Sequence, residues 1–153
     1  MINPVIRIEN PDQPEIRALL NASDAFHAAL YPAESNHLVD MASLRGADTT
    51  FLVARVDGAA RGIGAVMRRR GYAEIKRMFV DPKARRLKLG NRLLAALQAD
   101  ARLAAMPCLR LETGVRQSAA TALYRAAGFR EVGPLGTYRS DPNSLFMEKT
   151  LAS

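Results

Sequence analysis

Residues 79–92 read Phe79-Val80-Asp81-Pro82-Lys83-Ala84-Arg85-Arg86-Leu87-Lys88-Leu89-Gly90-Asn91-Arg92: an apolar strand end, a turn signal, a basic loop and the start of a leucine-rich segment. From Leu89 onward, Leu93, Leu94, Leu97, Ala101 and Ala104 recur at helical spacing with Arg92, Asp100 and Arg102 off the stripe, which predicts a helix. A strand feeding through a short loop into a helix N-terminus aims unpaired backbone N–H groups and the positive end of the helix dipole at one point, where phosphate binds. Five cations between Lys83 and Arg92 reinforce that point. The plainer reading is a solvated basic turn ahead of an amphipathic helix.

Upstream, Thr50 to Val56 is rich in β-branched and apolar residues, and Asp57-Gly58 supplies the left-handed geometry of a tight hairpin turn. A return strand from about Arg61 to Arg69, a reversal at Gly71 and a third strand from Tyr72 to Val80 make an antiparallel meander that Asp81-Pro82 closes. Before it stand a short strand (Val5 to Glu9), a helix capped by Asp12 with Glu15 and running to about Tyr31, and a second short helix through Leu38, Val39 and Ala42. Pro32 separates the two helices, and Arg45-Gly46 ends the second.

Downstream, Pro107 precedes a strand from Cys108 to Thr113, and Ser118 caps a helix through Ala122, Leu123 and Ala126 that Gly128 ends. Phe129 to Val132 and Ser144 to Leu151 read as two closing strands around a Gly- and Pro-containing loop. Repeats and linker-like stretches are absent, so residues 1–153 are read as one domain.

The totals agree with a folded enzyme-sized unit. At 153 residues, with 48% hydrophobic and 24% charged residues, neither disorder nor low complexity fits. No apolar run approaches a bilayer span and the Met1 end has no signal-peptide pattern, so a cytoplasmic location without membrane contact is expected. The lone Cys108 excludes a disulfide scaffold and a structural zinc, and no metal is expected. A net charge of +7 points to an anionic partner. Nucleic acid is disfavoured, because there is no Trp and no basic-aromatic or zinc-finger signature, and a phosphate-bearing cofactor is the other candidate.

With its surroundings, the basic loop resembles the acetyl-CoA signature of the GCN5-related N-acetyltransferase (GNAT) superfamily: Arg or Gln, two residues, Gly, one residue, then Gly or Ala. Arg85 and Gly90 match, and Lys88 stands in the Gly place. Ala120, Leu123, Tyr124, Gly128 and Phe129 match a second family motif, whose Asn is altered to Gln117. Leu30 to Ser35, Ala73 to Met78, Leu111 to Gly114 and Ser140 to Lys149 resemble a bacterial branch with small-molecule acceptors. The resemblance covers nearly the whole chain. It implies an α+β GNAT fold, a mixed but mostly antiparallel sheet of six to seven strands flanked by about four helices, with two splayed central strands forming the acetyl-CoA cleft.

The resemblance also assigns roles. Acetyl-CoA is the implied co-substrate, its pyrophosphate on the amides of about Arg86, Leu87, Lys88, Leu89 and Gly90, with Arg85, Asn91 and Gln117 in support and the backbone of Met78, Phe79 and Val80 along its arm. Lys88 is expected to point outward and to reach back toward a phosphate. Transfer to an amine needs a proton acceptor and a donor for the departing thiolate. The family's positions give these to Glu74, directly or through water, and to Tyr124. By period-two alternation Glu74, Lys76 and Met78 share one face of their strand, with Arg77 and Phe79 on the other. Such folds wall the acceptor with the first two helices and the loop before the last strand, so Tyr31, Glu34, Lys76 and Tyr138 are the candidates for binding a small-molecule amine, and a basic Lys76 or Arg77 suits a carboxylate on it. Cys108 is read as a core residue and His27 and His37 as structural or surface groups. The expected activity is N-acetyl transfer in a ternary complex, with a non-catalytic CoA-binding domain and a nucleic-acid-binding protein as alternatives. A homodimer is left open.

Overall fold

The chain forms, in order, β1 (Val5–Ile8), α1 (Pro14–Leu30), α2 (Met41–Leu44), β2 (Thr49–Val56), β3 (Ala59–Arg68), β4 (Ala73–Val80), a 3₁₀ segment (Pro82–Leu87), α3 (Leu89–Leu103), β5 (Cys108–Gly114), α4 (Ser118–Ala126), β6 (Arg130–Val132) and β7 (Ser144–Thr150). This is a computed structural model, and it describes residues 3–32, 40–134 and 138–151. Glu34, His37, Leu38 and Val39, named above, lie outside the described residues.

The seven strands form one sheet in the order β1-β2-β3-β4-β5-β7-β6. The β2–β3 turn has Asp57 and Gly58 both left-handed (φ 51 and 83), as a two-residue hairpin requires. Every neighbouring pair is antiparallel except β4 and β5, which pair in parallel only over Ala73–Ile75 and Leu109–Leu111. Beyond Ile75, β4 stays with β3 to Val80, while β5 stays with β7 to Gly114, so the two strands diverge into a wedge.

Helices cover both faces. Leu89, Leu93, Leu94, Leu97 and Ala101 of α3 and Tyr124 of α4 pack on Leu52, Ala54, Val66, Ile75, Leu109 and Leu111. On the opposite face Ile16, Leu19 and Leu20 of α1 and Leu44 of α2 meet Phe51, Val53, Ile63, Ala65 and Met67. Each fully buried Leu or Ile here is worth roughly 1.5–3 kcal/mol relative to exposure. No helix among the described residues is long and apolar enough to cross a membrane.

Three local expectations are corrected. Helix α1 is not capped by Asp12: Gln13 is the N-cap without a side-chain bond, Pro14 opens the helix, and the Asp12 carboxylate is drawn off by Arg17. Proline suits that position because its missing N–H is one the first turn would leave unpaired. Ser118 is likewise the first residue of α4, not its cap, which is Gln117.

The third correction bears on the site. Between the pairs Ala65↔Lys76 and Ile63↔Phe79, Arg77 and Met78 together oppose Gly64, so β4 carries a bulge, with Arg77 at φ 58. A bulge inserts one residue and reverses the alternation beyond it. Glu74, Lys76, Arg77 and Phe79 therefore lie on the α1 face, whereas Met78 and Val80 turn to the α3 face, against the period-two reading. Gly64 is fitted to this crossing, since a Cβ there would press on Met78 Sδ at 3.2 Å and a Leu97 methyl at 3.1 Å.

Candidate active site

A cavity of about 1010 Å³ occupies the wedge between β4 and β5, reaching the C-terminal half of α1 on one side and the N-termini of α3 and α4 on the other. Neither helix start has a capping side-chain bond: Lys88 is the N-cap of α3 and Gln117 that of α4. The first-turn amides of both helices lie in segments that line the cavity, Leu89 to Asn91 and Ser118 to Ala120. Two such ends converging add their dipoles, and Arg85, Lys88 and Arg116 on the same lining add full charge.

Lys88 has the left-handed backbone (φ 55, ψ 36) that joins the 3₁₀ segment to α3, and it is exposed, as expected of a side chain directed outward. A glycine would take this conformation without penalty, which explains why the family's glycine can be replaced here only at some conformational cost. Gly90 is spared a Cβ where one would stand 3.3 Å from a Leu123 methyl, so α3 and α4 approach closely at their starts.

Of the residues assigned from sequence, Met78, Phe79, Val80, Arg85, Lys88, Leu89, Gly90, Asn91, Gln117, Tyr124, Tyr31 and Lys76 line this one cavity. Arg86, Leu87, Glu74 and Tyr138 do not, and Glu34 is outside the described residues. Tyr124 is 5% exposed, its ring edge-on to Phe129, and burial pushes its hydroxyl pKa well above the ordinary value. It is therefore protonated at neutral pH.

Glu74 sits one layer behind the cavity wall. Its side chain is 3% exposed, its Oε1 accepts long hydrogen bonds from Arg69 (3.3 and 3.4 Å), and its Oε2 accepts one from the Tyr138 hydroxyl at 3.0 Å. Lys76, which does line the cavity, donates from Nζ to the same Tyr138 hydroxyl at 2.8 Å and lies 3.6 Å from Glu74 Oε2. Burial holds the Lys76 ammonium below its usual range, with Glu74 and Glu112 working against that shift. Tyr138 stacks on Phe146, and burial together with the Glu74 charge raises its hydroxyl pKa.

Tyr31 is placed by packing more than by exposure. Its ring fills the space where Gly114 lacks a side chain, and its hydroxyl accepts the Arg116 N–H at 3.0 Å, tying the end of α1 to the loop after β5. Arg77 does the same at the bulge, donating to Asp24 Oδ1 at 2.7 Å and to the Leu20 carbonyl at 3.1 Å, while its buried Nε has no partner among the described residues.

Several lining groups were missed from sequence. Phe26 of α1 is 42% exposed on the cavity side, with its ring 6.4 Å from that of Phe79. His27, read as structural, also lines the cavity and bonds the Ser23 carbonyl through Nδ1 at 2.8 Å. Glu112 on β5 accepts from Ser144 at 2.6 Å and faces Lys76. Its place in the Leu111 to Gly114 stretch was the available signal. Cys108 is buried, and burial with the Glu148 charge raises its thiol pKa, as suits an inert core residue.

Comparison with known proteins fits this geometry. Residues 47–131 match the acetyltransferase (GNAT) domain. The chain is 48% identical over 153 residues to an IAA acetyltransferase of Azospirillum brasilense, covering 99% of this chain and 100% of the relative. Its fold superposes with a TM-score of 0.82 and 36% identity on a Klebsiella pneumoniae protein assigned as an acyl-CoA N-acyltransferase, over 97% of this chain and 98% of that one. A PaiA N-acetyltransferase from Thermoplasma acidophilum, in complex with coenzyme A, shares the fold at a TM-score of 0.77 and 19% identity, over 97% and 99% of the two chains. With that domain matched over residues 47–131 and a relative 48% identical along its whole length, the chain belongs to the GNAT acetyltransferase family.

Proposed function

We propose that the protein transfers acetyl from acetyl-CoA to an amine of a small molecule by direct attack within a ternary complex. The observation that carries this reading is the single cavity running from the two uncapped helix N-termini, through the wedge, to the aromatic and charged wall of α1 and β4. One end suits a pyrophosphate, the unpaired inner edges of β4 and β5 suit an extended arm, and the other end suits an acceptor.

Each step then has a group. Backbone amides near the β4 bulge polarise the thioester carbonyl, and donors aimed at the developing oxyanion lower the barrier most. Tyr124 gives its proton to the departing thiolate. Glu74 takes up the proton lost by the amine, and because it stands behind Lys76 and Tyr138 it does so through an intervening group. Phe26, Tyr31, Lys76 and Glu112 bound the acceptor end. The name of the Azospirillum relative puts IAA on the panel of acceptors, beside aromatic and aliphatic amines.

Calorimetric titration with acetyl-CoA, followed by thiol release over that panel, tests the reading. Gly90→Glu, which adds bulk against Leu123 and a negative charge at the helix N-terminus, should abolish acetyl-CoA binding while circular dichroism keeps its native form. Unchanged affinity in that variant rules out this pyrophosphate site. Arg85→Ala should weaken binding more modestly, with a loss that shrinks at high salt.

A further inference from the structure

The hydrogen-bonded chain behind the cavity wall has a direction. It starts at an amine on the lining, Lys76 Nζ, passes 2.8 Å to the Tyr138 hydroxyl, continues 3.0 Å to Glu74 Oε2, and ends at Arg69, which grips Glu74 Oε1 and reaches the surface with a side chain 41% exposed. Lys76 lines the cavity although its side chain is only 6% exposed, so its ammonium has lost most of its water. Among the described residues, Glu74, Tyr138, Glu112 and Arg69 act on it. The bulge at Arg77 explains the placement: it keeps Lys76 on the α1 face while Met78 turns away.

We propose that Lys76 is the group that receives the proton from the attacking amine, with Tyr138 and Glu74 as the relay that empties it. This rests on the acetyltransferase reading above and names the intermediary that reading requires. Before attack, the Lys76 ammonium passes one proton to Tyr138 Oη as the Tyr138 proton moves to Glu74 Oε2, leaving a neutral amine and a carboxylic acid. The acceptor nitrogen then forms its bond to the thioester carbon, its proton goes to Lys76 Nζ, the C–S bond breaks, and the thiolate takes the Tyr124 proton. Glu74 releases its proton to solvent past Arg69 and Tyr124 regains one, so the net change is one proton from amine to thiol.

A lysine that serves only to anchor a carboxylate on the acceptor would behave differently, and charge-preserving substitution separates the two. Arginine keeps the cation but does not deprotonate in a protein. With whichever of benzylamine, tyramine or putrescine the parent acetylates, Lys76→Arg and Lys76→Met should both lower kcat by 10²-fold or more with KM changed less than threefold. The acidic limb of the kcat profile, where activity rises as the Lys76–Tyr138–Glu74 set loses one proton, should disappear in both. Tyr138→Phe should cost about tenfold in kcat and move that limb. Rescue by Lys76→Arg, with the loss in Lys76→Met confined to KM, overturns the proposal in favour of an anchor.

A second measurement needs no acceptor. The chain has four lysines, so ¹⁵N-lysine NMR of the parent resolves their Nζ titrations. Lys76 should titrate below the ordinary lysine range, and Tyr138→Phe should shift its midpoint. A Lys76 midpoint within the ordinary lysine range overturns the proposal even if no amine is turned over, whereas failure of all three amines counts against the small-molecule amine acceptor of the reading above, a failure distinct from that of the relay.

Discussion

Tyr124 is buried, lines the cavity and is kept protonated by that burial, so its usefulness depends on giving a proton to a group of comparable basicity. Tyr124→Phe preserves the ring packing against Phe129 and removes only the hydroxyl. We expect kcat to fall on the order of 10²-fold with acetyl-CoA affinity little changed, as steady-state kinetics and calorimetry will show. Full kcat would exclude the hydroxyl as donor, and lost affinity would make it a binding group. Lys88 offers a test of opposite sign. A non-glycine residue at φ 55 is strained, so Lys88→Gly should raise stability by up to about 1 kcal/mol in denaturant unfolding, after the extra chain entropy of glycine is subtracted. A loss instead would mean that the lysine stem contributes more than its backbone costs.

At the scale of elements, the loop after β5 and the end of α1 are fastened by Tyr31 lying over Gly114. A Cβ at Gly114 would collide with the hydroxyl end of Tyr31, and the 6% exposure of Tyr31 leaves it little room to move. Gly114→Ala should therefore cost about 1–3 kcal/mol, read as a lower Tm, and Tyr31→Leu in the same chain should recover part of it. An unchanged Tm would show that the ring swings away freely. Most elements were legible in the sequence because their signals are local: the Asp57-Gly58 turn, the leucine stripe of α3 and the Gly128 stop all act within a few residues. What was not legible depends on tertiary competition. Asp12 is as good a cap as any by type, yet Arg17 holds its carboxylate, and Pro14 starts the helix two residues later. The β4 bulge has no glycine to announce it, so alternation read through Arg77 put Met78 on the wrong face. The basic loop and the start of α3, which line one end of the cavity, were readable as a motif, whereas Glu112 and Phe26 enter the lining only because β5 diverges and α1 faces the wedge.

Across the whole molecule, the Arg55 guanidinium and the Ala60 N–H hold the segment from β1 into α1 to the β2–β3 hairpin. Arg55 binds Glu9 through Nη2 at 2.8 Å and Nε at 2.9 Å, Glu15 through Nη1 at 2.6 Å, and the Gly58 carbonyl at 2.8 Å. Hydrogen bonding to Arg55 lowers the pKa of both carboxyls, so the stability they confer is present above the ordinary value of 4.5 and is lost as pH falls through their lower folded values. The Tm should therefore drop on acidification below that value, and Glu9→Gln should lower the Tm at neutral pH while flattening the drop. An acid limb of unchanged steepness in the variant would assign it to other carboxylates. The short parallel pairing between β4 and β5 has a wider effect. Its three residue pairs form the spine of a half-open book whose leaves are β1–β4 and β5–β7–β6, with the bare inner edges of both pages turned toward each other. Edges inside a sheet are ordinarily stitched together, and here the stitching is left to whatever slides between the leaves. An extended molecule lodged there is then at once the cargo of the reaction and a splint for the fold, so the protein should be at its stiffest when loaded and should loosen with each product it lets go.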